Sequence, residues 1–158
     1  MIKVGIVTIS DSCSKKTHED ESGPMIKKMV EAKGLKVERH EIVPDEREAI
    51  KSAVINMVDV MKLDMVLTTG GTGIGPRDVT PEAVKPLLDK ELPGVSEQIR
   101  RIGAQNSPRA ILSRGLAGVR RQSLIVNLPG SPRGVEESLN AILDVLIHSV
   151  DMIHGKGH

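Results

Sequence analysis

Met65-Val66-Leu67-Thr68-Thr69-Gly70-Gly71-Thr72-Gly73-Ile74-Gly75-Pro76-Arg77-Asp78 is the stretch from which the fold is read. Its first five residues are apolar or β-branched, as in a strand buried on both faces. The strand runs straight into four glycines within six residues, and Thr80-Pro81 then caps a helix, Pro being tolerated in a first helical turn. Strand, glycine turn and helix in that order are the unit of a parallel α/β sheet. Glycines let backbone N–H groups turn inward around a phosphate, and the dipole of the helix from Thr80 favours negative charge. A tight connection without a ligand is the other reading. The segment is not a Walker A loop: Gly70 and Gly75 have the spacing, but Pro76 and Arg77 stand where Lys and Ser/Thr are required. It also lacks the third glycine of the dinucleotide fingerprint.

The same alternation extends outward. Ile2–Ile9 (IKVGIVTI) reads as a buried strand, 10–20 as a polar loop, and Ser22-Gly23-Pro24 as the opening of a helix that Gly34 stops. Residues 35–43 alternate only partly and suit a partly exposed edge strand. Ile50, Val54, Met57, Val58 and Met61 line one face of a second helix. Pro93-Gly94 breaks the chain before a helix marked by Val95, Ile99 and Ile102, and Ser107-Pro108 opens a short turn up to Ser113. Ser123–Leu128 (SLIVNL) is the last strong strand, and Val135, Leu139, Ile142, Leu143, Leu146 and Val150 stripe the final helix. The expectation is one domain over residues 1–158, an α/β fold with a mostly parallel sheet covered by helices on both faces. The tail 155–158 is expected to fray.

In such a sheet the crevice beyond the carboxyl ends of the strands holds the ligand. Three loops follow strands there: 10–23, 70–80 and 129–134. Asp78, beside the glycine turn, suits Mg2+, which takes one or two carboxylates plus waters and substrate phosphates; an Asx turn into the helix explains it as well. Asp45, with Glu48 three residues on, has the spacing of a helix cap. Ser10, Asp11 and Ser12 suit either a nucleotide or the turn's own amides. Ser131 lies outside any Gly-x-Ser-x-Gly elbow, so it is no hydrolase nucleophile. The five histidines show no metal-ligand spacing and read as surface residues.

Composition narrows the function. The 158 residues carry 22 Lys and Arg against 21 Asp and Glu, too balanced for a dedicated nucleic-acid binder. No Phe, Tyr or Trp is present, which removes the stacking platforms of single-strand-binding modules. The lone Cys13 excludes an internal disulfide and multi-cysteine metal sites. No apolar run is long enough for a membrane span, and the expected compartment is the cytoplasm. Residues 93–135 carry seven Arg against Glu97 alone, a segment suited either to a solvated face or subunit contact, or to an anionic ligand.

In combination these segments resemble a known family. Val66–Gly73 followed by Asp78-Val79-Thr80-Pro81-Glu82-Ala83 is similar to the signature of the MogA/MoaB proteins of molybdenum-cofactor biosynthesis, with which the gephyrin G domain is grouped. Thr8-Ile9-Ser10-Asp11, Pro44-Asp45-Glu46, Pro93-Gly94 with Glu97-Gln98 and Arg100, Ala110–Arg114 and Asn127–Pro132 follow in family order. The resemblance implies an α/β/α fold and a molybdopterin adenylyltransferase, which transfers AMP from ATP to the terminal phosphate of molybdopterin with Mg2+ and releases pyrophosphate. It implies Asp45 and Asp78 as the catalytic pair, with Asp78 on the metal. Thr69, Gly70, Gly71, Thr72 and Gly73 would hold phosphate. Pro129, Gly130 and Ser131 would line the nucleotide or pterin pocket, joined by Thr8, Ser10, Asp11, Glu97, Ser113, Arg114 and Asn127. It also implies a homotrimer, or a hexamer in MoaB-type members, whose compact ending this chain shares. Some MoaB-type members keep the fold without the activity, so a non-catalytic molybdopterin-binding or assembly protein is the alternative.

Overall fold

The computed structural model describes residues 1–156; Gly157 and His158, part of the tail expected to fray, lie outside the described residues. The chain runs β1 (Lys3–Ile9), α1 (Asp11–Ser14), α2 (Ser22–Ala32), β2 (Lys36–Val43) and α3 (Arg47–Ile55), whose last turn widens into a π-turn at Asn56–Val60. Then come β3 (Met65–Thr69), α4 (Thr80–Val84), β4 (Lys90–Glu91), α5 (Pro93–Asn106), a 3-10 turn at Pro108–Leu112, β5 (Ala117–Arg120), β6 (Ser123–Leu128) and α6 (Pro132–Ile153). The sheet order is β2-β1-β3-β6-β5-β4. β2, β1, β3 and β6 are parallel, whereas β5 is antiparallel to β6 and β4 to β5.

The central strands are apolar on both faces because both faces are covered. Val4, Ile6, Met65, Leu67, Leu124 and Val126 point to a core closed by α2, α5 and α6. Val7, Ile9, Val66 and Ile125 point the other way, to Ile50, Val54, Met57, Ala83 and Val84 on α3, its π-turn and α4. With successive side chains alternating between faces, each strand feeds two cores and the molecule has three layers. The expected α/β class, parallel sheet and edge position of residues 35–43 are all found.

Several expectations are corrected. Residues 10–20 are not all loop: Ser10 caps the single turn α1, its Oγ accepting from Cys13 N–H at 3.2 Å. Pro93 is the first residue of α5 rather than a break before it. Two short strands, β4 and β5, extend the sheet beyond the four expected. Thr80 does not cap α4; it is its first residue, and its hydroxyl donates to Gly70 O at 2.9 Å. Gly155 (φ +77°) and the Lys156 N–H bond to Asp151 O, 2.8 Å, close the end of α6. Among the described residues no helix is long and apolar enough to cross a membrane.

Candidate functional site

The carboxyl ends of β1, β3 and β6 stand side by side, with Thr8 level with Thr69 and Thr69 level with Leu128. Side-chain hydrogen bonds lace their loops together. Thr69 Oγ1 donates to Pro129 O at 2.6 Å and Ser22 Oγ to Gly130 O at 2.7 Å. The three loops expected to meet do so.

The turn after β3 needs glycine at two places. Gly70 has φ +104° and Gly71 φ +68°, the left-handed region that side chains resist. A Cβ on Gly70 would also run into Ile9 O, and one on Gly71 into Thr80 Oγ1. The turn therefore lies flat against β1 and the start of α4. Two carboxylates press on it: a Cβ at Gly71 would lie 3.1 Å from Asp45 Oδ1, and one at Gly73 or Gly75 2.9 Å from Asp78 Oδ2.

Asp45 is not a helix cap. Glu46 holds the N-cap position of α3, with no side-chain cap bond. The Asp45 carboxylate instead accepts from Asp11 N–H (2.9 Å), while Asp45 N–H donates to Asp11 Oδ1 (3.0 Å). Burial pushes the Asp45 carboxyl above its ordinary range; the negative charges of Asp11 and Asp78 act the same way, opposed by the Asp11 N–H bond and by Arg77. Asp11 is held low by the Arg77 guanidinium beside it. Asp78 folds back on its own loop, Oδ2 accepting from Gly75 N–H at 2.9 Å, so it does not cap α4 either.

The helix behind the site is also different from the one expected. α4 has five residues and a correspondingly small dipole, whereas α6 has 22 and starts at the 129–134 loop. Ser131 caps α6, its Oγ accepting from Gly134 N–H at 3.0 Å.

Two cavities flank this loop. One of about 270 Å3 lies between α5 and the start of α6, lined by Arg100, Arg109, Ser113, Pro129, Ser131 and Arg133. Arg133 pairs with Glu137, but Arg100 and Arg109 have no carboxylate partner among the described residues. The other, about 210 Å3, lies on the opposite side of the loop, lined by Thr8, Ser10, Asp20, Ser22, Thr69 and Gly130. In its wall Thr8 Oγ1 donates to Asp20 Oδ2 (2.8 Å) and lies 2.9 Å from His40 Nε2. His40 is therefore no free surface histidine. Sequence reasoning missed Asp20 and His40, since one sat in an unpatterned polar loop and the other among the charges of an edge strand.

Thr8, Ser10, Asp11, Asp45, Thr69 to Gly73, Asp78 and Pro129 to Ser131 lie at this end of the sheet, but Asp11, Asp45, Gly71 to Gly73 and Asp78 line neither cavity. Ser113 and Arg114 flank the glycine turn: Ser113 Oγ donates to Thr72 Oγ1 at 3.4 Å, and Arg114 N–H to Thr72 O at 2.8 Å. The Arg114 guanidinium is taken up by Glu82 (2.6 Å), Gly73 O (2.9 Å) and Asp78 O (2.8 Å), so it braces the turn. Asn127 is 3% exposed and spends its amide on Thr68 Oγ1 and Leu116 N–H, joining strands inside the sheet. Glu97 is exposed on α5 and lines neither cavity. The Arg-rich segment is divided too, because Arg120 and Arg121 pair with Asp59 on the far side of the sheet's edge.

Among the described residues no three His, Cys, Asp or Glu side chains form a ready-made metal site. Two carboxylates beside a turn of backbone amides nevertheless fit Mg2+, which binds few protein ligands and completes its shell with water and substrate phosphate.

Residues 5–148 match the family described as "Probable molybdopterin binding domain". The molybdopterin adenylyltransferase of Helicobacter pylori is 44% identical over 156 residues, 98% of this chain and 89% of the relative. That of Escherichia coli K12 is 38% identical, over 94% of this chain and 80% of the relative. The crystal structure of the molybdopterin biosynthesis enzyme MoaB from Thermus thermophilus superposes with a TM-score of 0.93 at 46% identity, covering 99% of this chain and 98% of that one. The likeness covers nearly the whole chain, and the chain belongs to the MogA/MoaB-type family of molybdopterin-binding domains.

Proposed function

We propose that this protein is a molybdopterin adenylyltransferase, acting in the cytoplasm in molybdenum-cofactor biosynthesis. The observation that carries the reading is the pair of cavities on either side of one loop, with Asp45 and Asp78 against the glycine turn beside it. A transfer between two bulky substrates needs two neighbouring pockets, and these two share the 129–134 loop, Pro129 and Ser131 facing one and Gly130 and Pro132 the other. The Arg-lined cavity suits the anionic molybdopterin, which must lie against aliphatic and guanidinium groups because the chain has no aromatic residue. The cavity with Thr8, Ser10, Asp20 and Ser22 offers hydroxyls and a carboxylate, partners for the ribose and base of ATP.

In the reaction an oxygen of molybdopterin's terminal phosphate attacks the α-phosphorus of ATP, and the bond from that phosphorus to the β-phosphate oxygen breaks. AMP becomes joined to molybdopterin and pyrophosphate leaves. Such transfers are catalysed by positioning and charge stabilisation rather than by a protein nucleophile. The amides of Gly71 to Ile74, which no other group of the turn takes up, would cradle phosphate, and the guanidinium groups of Arg100 and Arg109, the first of them held by Ser113 O and Gly115 O at 3.3 Å, would balance the attacking phosphate's charge. Asp78, with Asp45 near it, would hold Mg2+, which when bound offsets negative charge on the polyphosphate. We infer a homotrimer, or a hexamer, as the assembly.

The test is pyrophosphate release from ATP with and without molybdopterin and Mg2+. Release that requires both supports the enzyme. Molybdopterin binding without release would leave an assembly protein instead.

A further inference from the structure

Arg77 stands one residue before Asp78 in the glycine-rich loop, yet its guanidinium reaches across to Asp11 at the end of β1. Nε lies 3.0 Å from Asp11 Oδ2 and Nη2 3.0 Å from Asp11 Oδ1, a two-pronged pair. Nη2 is also 4.0 Å from Glu46 Oε1. Asp11 in turn grips Asp45 through the two reciprocal backbone bonds of 2.9 and 3.0 Å. Three segments distant in sequence, the loops after β1, before α3 and after β3, are thus joined through one side chain.

We propose that Arg77 is a positioning residue that acts through Asp11 to hold the Asp45 carboxylate beside the glycine turn. The inference rests on the adenylyl-transfer reading and on the part Asp45 plays in it. The Asp11 amide takes one oxygen of Asp45, leaving Oδ1 toward Gly71. Which oxygen faces the turn therefore depends on where Asp11 sits. Only a planar fork holds a carboxylate in two places at once, and lysine has no such fork. The charges lead to the same role. Asp11, Asp45, Glu46 and Asp78 crowd together, and Arg77 is the guanidinium among them. Without it the negative charge of Asp11 would face Asp45 uncompensated, and repulsion would loosen the pairing that sets the carboxylate.

Arg77 is also 59% exposed, so its rival role is direct contact with substrate phosphate. The two differ in what Asp11 does. If the guanidinium serves the substrate directly, removing the Asp11 charge frees it. If it works through Asp11, loss of either partner has the same consequence.

The experiment compares wild type, Arg77→Gln, Arg77→Lys, Asp11→Asn and the Arg77→Gln/Asp11→Asn double variant. It reads steady-state pyrophosphate release and, by NMR, hydrogen exchange of the residue 11 amide. Displacing a reacting group by about 1 Å costs on the order of 100-fold, so kcat should fall by roughly 10- to 100-fold in each single variant. KM for ATP should stay within about threefold, the double variant should be no worse than the poorer single one, and lysine should not rescue. The residue 11 amide should exchange faster in Arg77→Gln. Unchanged exchange, a wild-type-like Asp11→Asn, or a raised KM for ATP at constant kcat would overturn the inference. A wild type that releases no pyrophosphate would sink the adenylyl-transfer reading alone; the exchange comparison would still decide whether Arg77 holds Asp11 on Asp45.

Discussion

Gly70 shows how a single residue type permits a site. Its φ of +104° and its contact with Ile9 O leave no room for a side chain. Gly70→Ala is expected to lose about 1–3 kcal/mol, the usual scale of such backbone strain, read from urea unfolding, together with all turnover. The aspartates behave differently, since neither supports the core. Asp78→Ala or Asp45→Ala should lower turnover by at least ~100-fold, the scale of one preorganised electrostatic element, while thermal unfolding stays close to wild type. Wild-type turnover in both variants would remove them from the chemistry. At this scale the sequence shows the glycine turn, while the two aspartates stand out only through the family resemblance and their geometry not at all. The spacing of Asp45 and Glu48 reads first as a cap, and only the pairing with Asp11, 34 residues away, with Glu46 in the cap position, decides against one. Asp20, Arg77 and His40 stayed hidden for the same reason, as their partners are near in space and not in the chain.

Elements were legible where burial was complete and illegible where it was partial. β1, β3 and β6 are buried on both faces and announce themselves as apolar runs. β4 is two exposed residues, and β5 is four, Ala117 and Gly118 buried and Val119 and Arg120 half-buried, so neither is long enough to show an apolar pattern. What secures this edge is charge: Arg120 on β5 donates to both oxygens of Asp59 in the π-turn after α3, at 3.1 and 2.8 Å. The guanidinium holds the Asp59 carboxyl below its ordinary range. A carboxylate depressed in the fold contributes stability above its unfolded value near pH ~3.9 and loses it as pH falls through the lower folded value. Asp59→Asn should therefore cost about 1 kcal/mol at pH 7, the net scale of an ordinary hydrogen bond. The difference from wild type should shrink as unfolding is measured at falling pH, through the lower folded value of the Asp59 carboxyl, below which the wild-type group is protonated too. α6 is the opposite case, an apolar stripe read correctly at every position, from Val135 to Val150. Leu139→Ala, at a fully buried position, should cost about 2–5 kcal/mol without moving the site.

For the whole molecule, the three-layer sheet places every strand end that bears a site residue on one rim, and relatives of the same architecture cover nearly all of the chain. If the protein assembles as inferred, light scattering should return three or six copies of the 17.1 kDa chain. A monomer at micromolar concentration would contradict that assembly and leave the cavities untouched. The chemistry itself is tested most directly by following the label of [α-32P]ATP incubated with the protein, molybdopterin and Mg2+. Adenylyl transfer requires the label to move onto molybdopterin in equal amount with released pyrophosphate, and [γ-32P]ATP to transfer none. Label remaining in ATP, or transfer from the γ position, would contradict it.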